Sequence, residues 1–217
     1  MFERIFPHRT QDLLDRVSLI IANEDFYLAG GSGLALQIGH RVSEDLDLFK
    51  ESSFNPGVLL GKLREAAQKV EVTLMEKDTL VAILDDVRLS FFAYEVSLIY
   101  PTIIFKGFRV ADWRDITAEK FKTLAQRGSK KDFYDLYAVI HLQQISIKEA
   151  VDLLKKRFEP TGQNFYHILR SLAYFEDAER EPEPRLVKDA YKWEQVKTFF
   201  VENIREFERW ITSSSPS

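Results

Sequence analysis

The chain has 217 residues, 45% of them hydrophobic, which is enough for one large domain or two small ones. Its net charge of −4 gives no overall basic signature for nucleic-acid binding, although a local basic patch is compatible with this charge. It contains no cysteine, which excludes disulfides and cysteine-based zinc sites. The N-terminal residues MFERIFPHRT lack the apolar core of a secretory signal and no segment approaches the ~20 apolar residues of a membrane span, so we expect a soluble cytoplasmic protein without a membrane partner.

The first predicted elements lead to a pair of glycines. Residues 11–23 have apolar positions at helical spacing and predict an amphipathic helix. Residues 26–29 form a short β-prone run that ends at Gly30 and Gly31, because two glycines permit a tight turn and the close approach of a ligand. A helix should begin at Ser32, whose hydroxyl could cap it, and the N–H groups at such a helix end form an anion site.

The next predicted strand, residues 45–49, carries two carboxylates. Alternate residues of a strand share a face, so Asp45 and Asp47 should point the same way while Leu46 and Leu48 are buried. Two adjacent carboxylates repel each other unless a cation binds them, and oxygen ligands favour a hard ion such as Mg²⁺. The run alone also fits an acidic strand edge in solvent, but the glycines upstream favour a site for a metal–nucleotide complex.

The remainder of the first half predicts a mixed sheet with helices on one face. Residues 58–70 read as a second amphipathic helix that starts near Pro56. Short polar links separate the β-type runs that follow, which predicts a meander of antiparallel hairpins. The predicted strands are residues 70–76, 79–84, 87–94, 103–105 and 108–110.

From Trp113 onward the sequence predicts helices. The predicted helices are residues 116–125, one that opens at residue 130, and residues 146–158, 164–175 and 191–211. Ser146 and Glu149 have the spacing of a capping box, and residues 176–185 read as an acidic loop. We therefore divide the chain into residues 1–112, a helical domain 113–211, and a disordered tail 212–217.

The stretch from residue 30 to residue 49, GGSGLALQIGHRVSEDLDLF, resembles the signature of the AbiEii/AbiGii-type nucleotidyltransferases, relatives of the minimal nucleotidyltransferases of the polymerase β superfamily. The signature positions are His40, Arg41, Ser43, Asp45, Asp47 and Phe49. A second element of that family, a lysine and an arginine followed by K-[KR]-D-x-x-D, is matched by Lys120, Arg127, Lys131, Asp132 and Asp135. Together these elements run from about residue 26 to residue 137.

The resemblance implies a fold and an activity. The fold is α+β, a nucleotidyltransferase fold with a mixed β-sheet and helices, followed by a helical C-terminal domain. The activity is Mg²⁺- or Mn²⁺-dependent transfer of a nucleoside monophosphate from an NTP to an acceptor. Some relatives are toxins that add nucleotides to the 3′ end of tRNA, so the implied partners are an NTP, a tRNA or other RNA, and a cognate antitoxin.

The resemblance also assigns roles to residues. Asp45 and Asp47 would hold the metal, Lys120 would offset the charge of the triphosphate, and Asp135 or Asp132 would orient that lysine, bind metal or act as a base. The catalytic set is therefore Asp45, Asp47, Lys120 and Asp135. The nucleotide-binding set is Gly30, Gly31, Ser32, His40, Arg41, Ser43, Lys120, Arg127 and Asp132.

One departure from the superfamily bears on the mechanism. A third carboxylate often sits on a strand after the aspartate pair, but the strand predicted here has Ser90 in its place, and Glu95 is a weak substitute. One metal, held by the two aspartates and the triphosphate, is therefore expected instead of two. The missing acid also motivates an alternative function, an NTP-binding regulator without catalysis; transfer of the nucleotide to a protein hydroxyl is a further alternative.

Several of these residues have structural interpretations as well. His40 could stabilise the end of the preceding helix through the helix dipole, and Asp132 could be a helix N-cap. Lys120 and Arg127 could be solvated helix residues. Basic residues outnumber acidic ones over residues 113–131, which fits a phosphate-facing rim or simply a solvated helix face.

Overall fold

The computed structural model describes residues 1–187 and 191–213, and the chain divides into two compact units, Met1–Asp112 and Trp113–Ser217. The first unit combines a sheet with helices, and the second is helical, so the predicted α+β class with a helical C-terminal part is confirmed. The elements of the first unit are α1 (His8–Asn23), β1 (Tyr27–Leu28), α2 (Gly30–Ile38), β2 (Leu46–Lys50), α3 (Pro56–Ala66), β3 (Val70–Glu76), β4 (Thr79–Leu84), β5 (Val87–Ala93), β6 (Ile103–Phe105) and β7 (Phe108–Val110), preceded by a 3₁₀ turn (Glu3–Ile5).

The seven strands form one mixed sheet in the order β3-β4-β5-β2-β1-β7-β6. Two pairs are parallel, β2 with β5 and β1 with β7, and the others are antiparallel. The predicted hairpin meander is confirmed for β3, β4 and β5. The central strand β2, which carries the aspartates, therefore lies between β5 and β1.

The two faces of this sheet have different roles. One face carries the alternate apolar residues of the strands, which pack with α1 and α3 into the main core of the unit. Leu46 and Leu48 of β2 point into this core and are 0% exposed. Asp47 and Phe49, which alternate with these leucines, therefore lie on the opposite face, which we call the second face.

Two helix predictions in this unit were shifted. The first helix begins at His8 instead of residue 11, directly after Pro7 as its N-cap residue. Helix α3 begins at Pro56 and ends at Ala66, four residues before the predicted end. Asn55 caps it through its side chain, which accepts hydrogen bonds from the N–H groups of Gly57 and Val58.

The second unit contains α4 (Trp113–Arg127), α5 (Lys130–Leu142), α6 (Ile147–Phe158), α7 (Phe165–Ser171), α8 (Glu176–Glu179), α9 (Trp193–Thr212) and a 3₁₀ turn (Glu159–Thr161). The capping box predicted at Ser146 and Glu149 is present. Residues 176–185 are not loop throughout, because α8 occupies their first four positions. Helix α9 extends one residue into the predicted tail, and residues 214–217 lie outside the described residues.

Candidate active site

The start of α2 is built around a close approach between Gly30 and Asp47. Gly30 has a left-handed φ of +58° and is the first residue of the helix. A Cβ atom at Gly30 would lie 2.5 Å from Oδ2 of Asp47, closer than side-chain atoms pack. Only glycine therefore allows both the backbone angle and the position of the carboxylate against the helix N-terminus.

This geometry predicts that Gly30→Ala will lower the thermal stability of the first unit. The left-handed φ costs an alanine ~1–2 kcal/mol, and the new methyl group displaces Asp47. The matched control is Gly61→Ala in the middle of α3, where an added Cβ meets nothing within 4 Å. That control should stabilise by about 0.5–1 kcal/mol, since alanine is the better helix former. Thermal melts followed by circular dichroism measure the stability of both variants. A Gly30→Ala protein as stable as the unaltered one would contradict the prediction.

Ser32 does not cap α2, so that prediction was wrong. The helix begins two residues earlier, and Ser32 lies in its first turn, 2% exposed. Its Oγ donates to the carbonyl oxygen of Asp45 and lies 2.7 Å from Oγ of Ser43. These bonds tie the first turn of α2 to the segment that enters β2, and they position Asp45.

A buried guanidinium lies beside the same helix turn. Arg41 is 4% exposed, and its Nη1 donates to the carbonyl oxygen of Val42 at 3.3 Å and to Oγ of Ser43 at 3.5 Å. A Cβ atom at Gly31 would collide with the Nη2 atom of Arg41, so the second glycine makes room for this cation. A helix N-terminus next to a guanidinium is favourable for an anion such as a phosphate group.

His40 follows the C-terminus of α2. The C-terminal cap is Gly39, which has φ +67° and donates its N–H to the carbonyl oxygen of Ala35. His40 itself is 5% exposed. The cap of this helix end is thus provided by glycine, and a contact of His40 with a nucleotide stays a prediction.

The aspartates differ in environment. Asp45 is exposed and directly precedes β2, which begins at Leu46, one residue later than predicted. Asp47 is half-buried on the second face of the sheet and is paired in parallel register with Ser90 of β5. Ser90 is 4% exposed.

The strand register shows which residue occupies the position expected for a third carboxylate. Paired residues of adjacent parallel strands point to the same face, so the position beside Asp47 is a hydroxyl. Glu95 lies five residues beyond Ser90 along the chain and after the end of β5 at Ala93, so it does not take this position. Among the described residues, no group of three or more histidine, aspartate or glutamate side chains is arranged to hold a metal ion.

In the second unit, Lys120, Asp132 and Asp135 form a buried ionic cluster, and Arg127, whose side chain is largely exposed, pairs with it at the surface. Nζ of Lys120 lies 2.7 Å from Oδ1 of Asp132 and 2.5 Å from Oδ2 of Asp135. Arg127 donates to Asp132 through Nε at 2.7 Å and through Nη2 at 2.9 Å. Lys120 is 4% exposed and both aspartates are 0% exposed, so Lys120 is not a solvated helix residue.

Asp132 is not the N-cap of α5. That position belongs to Ser129, and Asp132 is the third residue of the helix. Burial raises the pKa of Asp132, but Lys120 and Arg127 act more strongly together, and the net result is a pKa below its ordinary value. Asp132 is therefore a carboxylate at neutral pH and holds both cations.

The predicted basic rim is largely neutralised by partners within the second unit. Besides Lys120 and Arg127, Lys130 contacts Glu183, with Nζ 3.3 Å from Oε1. Glu181 accepts hydrogen bonds from Oγ of Ser129 and from the N–H of Lys130, both at 2.8 Å. The acidic segment that follows α8 thus covers the N-terminus of α5, which charge counting along the sequence could not reveal.

A second buried ion pair joins α6 to α4 and was not predicted. Nη1 of Arg157 donates to Oδ1 and to the backbone carbonyl of Asp115, each at 3.1 Å, and both side chains are almost fully buried. A sequence pattern could suggest it only through a charged residue on the apolar side of each helix. We read it as a structural contact between helices.

Two surface cavities lie away from these residues. One, of about 610 Å³, is lined by residues of α1 and α3, and its charges are compensated, since Lys62 pairs with Glu24 and Arg16 with Asp85. The other, of about 370 Å³, lies between α5 and α9. Neither cavity contains the aspartate pair, so the candidate site is defined by its residues and not by a large cavity.

The first unit's mixed sheet, its glycine-initiated helix and its aspartate pair define a nucleotidyltransferase fold. MenT4, a nucleotidyltransferase toxin from Mycobacterium tuberculosis H37Rv, has this fold with a TM-score of 0.52 at 15% identity, over 94% of this chain and 89% of that one. JHP933 from Helicobacter pylori matches with a TM-score of 0.50 at 15% identity, over 92% of this chain and 90% of that one. These likenesses show the fold.

The sequence itself shows the family. The profile of the nucleotidyl transferase AbiEii toxin of type IV toxin–antitoxin systems matches residues 12–212, so the chain belongs to the AbiEii nucleotidyltransferase toxin family. The protein aq_aa25 of Aquifex aeolicus (strain VF5) is 37% identical over 195 residues, which cover 88% of this chain and 91% of that protein. Among the described residues, no helix is both long and apolar enough to cross a membrane.

Proposed function

We propose that this protein transfers a nucleoside monophosphate from an NTP to the 3′ end of an RNA such as tRNA, with release of pyrophosphate, and that it is the toxin of a toxin–antitoxin pair in the cytoplasm. The observation that carries the proposal is the position of Asp47 against the glycine-initiated N-terminus of α2. Acidic side chains beside an anion site suit a triphosphate that arrives with a cation. Membership of the toxin family supports the biological role.

The residues of the first unit fit a single divalent ion. Asp45 and Asp47 offer carboxylate oxygens, the ligands that Mg²⁺ or Mn²⁺ prefers, and the neighbouring Ser90 offers a hydroxyl. When bound, such an ion neutralises charge on the phosphates and helps to align the acceptor hydroxyl. With two carboxylates instead of three, the remaining ligands would be triphosphate oxygens and water.

The protein's own groups would bind and orient the triphosphate. The N–H groups at the start of α2, from Gly30 to Ser32, have no carbonyl partner within the helix ladder, so they could donate to phosphate oxygens. Arg41 adds a fixed positive charge beside Gly31. Ser43, through its bonds to Ser32 and Arg41, is best assigned a positioning role, and His40 a contact with the nucleotide.

The family resemblance assigns Lys120 to the triphosphate. Its ammonium group is held by Asp132 and Asp135, and Asp132 is also bound by Arg127, so the lysine is fixed in one orientation. In-line attack at the α-phosphate needs positioning and charge stabilisation more than covalent chemistry. We assign Lys120 to offsetting phosphate charge, and Asp135 to orienting Lys120.

The serine beside Asp47 favours a second candidate, an NTP-binding regulator that has lost catalysis. With Ser90 in place of an acid, the site has one carboxylate fewer than a two-metal site needs. This candidate predicts nucleotide affinity without release of pyrophosphate.

One experiment separates these functions. Pure protein is incubated with Mg²⁺, each α-labelled NTP in turn, and total cellular RNA with lysate protein. Label on a tRNA-sized band supports the proposed function and identifies the base. Label on a polypeptide would identify a protein as the acceptor. Binding of an NTP without any transfer would support the NTP-binding regulator. Co-expression with a small gene found next to this one, which should relieve growth arrest, tests the antitoxin.

A further inference from the structure

Four aromatic side chains lie on the second face of the sheet, next to the aspartates. They are Tyr27 of β1, Phe49 of β2, Phe92 of β5 and Tyr94 just after β5; we call them the aromatic row. The ring of Phe49 lies in the middle, with centroids 6.0 Å from Tyr27, 5.4 Å from Phe92 and 5.9 Å from Tyr94.

The strand register places this row directly beside the pair formed by Asp47 and Ser90. Phe49 pairs with Tyr27 on one side and with Phe92 on the other, just as Asp47 pairs with Ser90. Phe49 and Phe92 each follow Asp47 and Ser90 by two residues and share their face. The two rows are thus one repeat of the strand apart, about 7 Å.

The row is not part of the main core. That core lies on the opposite face, with α1 and α3, and none of the four rings belongs to it. Tyr27 is covered, at 2% exposure, but Phe49, Phe92 and Tyr94 are only half-buried. The guanidinium of Arg109 lies 5.8 Å from the ring centre of Tyr27, and its charge is paired with Asp25, with Nη2 2.8 Å from Oδ1.

Partly exposed aromatic rings on a sheet face, beside a proposed phosphate site, are suited to one kind of ligand. Nucleobases stack on aromatic side chains, and such stacking tolerates different bases because every base has a π-face. In a nucleotide whose phosphate lies at Asp45 and Asp47, the ribose separates the base from the phosphate by a distance comparable to the spacing of the two rows, so the base can reach the aromatic row.

We propose that the aromatic row is a nucleobase site, with Phe49, Phe92 and Tyr94 as its stacking surface. This inference rests on the proposed function, because it takes the phosphate position from the aspartates. The base belongs either to the incoming NTP or to the terminal nucleotide of the RNA acceptor, and the kinetics of ring variants distinguish these two sources.

The test uses Phe92→Leu and Tyr94→Leu in the full chain, with transfer rates measured against NTP and RNA concentration. Loss of one stacking ring should raise one Michaelis constant by about 10-fold. A raised KM for the NTP assigns the base of the NTP, and a raised KM for the RNA assigns the acceptor. Phe92→Trp, which restores a larger ring, should recover the affinity that Phe92→Leu loses.

The matched control is Phe54→Leu, which removes a half-buried ring that packs against Phe26, a residue of the opposite, core face. It should leave both Michaelis constants unchanged. If Phe92→Leu and Tyr94→Leu fold, as judged by circular dichroism, and also leave both constants unchanged, the nucleobase site is overturned while the proposed function stands.

If the unaltered protein transfers nothing, the proposed function fails, and binding alone then tests the site. The probes are fluorescent ATP, GTP, CTP and UTP and a labelled single-stranded RNA, titrated with unaltered protein and with Phe92→Leu. Weaker binding of any probe by the variant supports the nucleobase site, and equal binding of all probes overturns it.

Discussion

Replacing Asp45 or Asp47 with asparagine is expected to lower the rate of nucleotide transfer by about 10³-fold, which corresponds to ~4 kcal/mol of transition-state stabilisation. Asparagine keeps the shape of each side chain but removes the negative charge that a divalent ion requires. Asp45 is exposed, so its loss should cost little stability. Asp47 packs against Gly30, and asparagine preserves that packing. Transfer of an α-labelled nucleotide and calorimetric titration with Mg²⁺ measure the two effects.

A neighbouring carboxylate provides the control for charge alone. Glu44 directly precedes Asp45 and forms an exposed ion pair with Arg9, the kind of pair that contributes ~0–1 kcal/mol. Glu44→Gln should therefore leave transfer and Mg²⁺ affinity almost unchanged. An Asp45→Asn protein that still transfers nucleotides at the unaltered rate would show that the aspartate pair is not the catalytic centre.

The hairpins of the sheet could be predicted from the sequence because their signals are local. The strands at residues 70–76 and 79–84 were predicted with the bounds they have. Asp85 and Asp86 link β4 to β5 with both φ angles positive, at 46° and 65°, as a two-residue turn of this kind requires. Aspartate tolerates that conformation better than most residues, so polar links between β-type runs indicated the turns correctly.

The start of α2 could not be predicted because its cause is not local. Two glycines read as a helix breaker, and Ser32 reads as an N-cap, yet the helix starts at Gly30. A glycine is needed at this start because the carboxylate of Asp47 occupies the space that any side chain at position 30 would need. A contact between residues 17 positions apart leaves no trace in local propensity.

The residue types of the candidate site could be recognised in the sequence, but the pairing of these residues across neighbouring strands could not. The aspartate pair and the substitution by Ser90 could be read from the sequence together with the family resemblance. That Ser90 stands directly beside Asp47, and that Phe92 stands beside Phe49, depends on the parallel register of two strands separated by α3, β3 and β4. Long-range pairing of this kind is set by the packing of the whole sheet.

The burial of Lys120 was also beyond local analysis. Lysine in a helix is normally solvated, and only the position of α5 brings Asp132 and Asp135 to its ammonium group. The cluster therefore has a structural consequence that is separate from its proposed role in catalysis, and this consequence can be measured on its own.

Lys120→Met is expected to destabilise the second unit by about 3–5 kcal/mol, because it leaves two buried carboxylates without the cation they share. All three tryptophans, Trp113, Trp193 and Trp210, belong to this unit, so their fluorescence reports its unfolding in urea separately from the first unit. The control is Lys131→Met, an exposed lysine of α5, which should change the free energy of unfolding by no more than ~0.5 kcal/mol.

The pH dependence gives this prediction a second, independent signature. In the unaltered protein the pKa of Asp132 is lowered, so its interactions contribute stability above the unfolded pKa of about 3.9, and this contribution is lost as the pH falls through the lower, folded value. Without Lys120, Asp132 loses the largest interaction that lowers its pKa and keeps only Arg127 against the effect of burial, so its pKa should rise and it should bind a proton more readily in the folded state.

The stability of Lys120→Met should therefore fall less, or even rise, on acidification from pH 8 towards pH 5, and the gap to the unaltered protein should narrow. Adding Asp135→Asn to Lys120→Met removes one of the two charges and should recover part of the lost stability at pH 8. A gap that is the same at both pH values, or a double variant no more stable than Lys120→Met, would show that loss of the positive charge is not what destabilises the variant. Agreement with both expectations would identify electrostatics as the force that holds Lys120 in place.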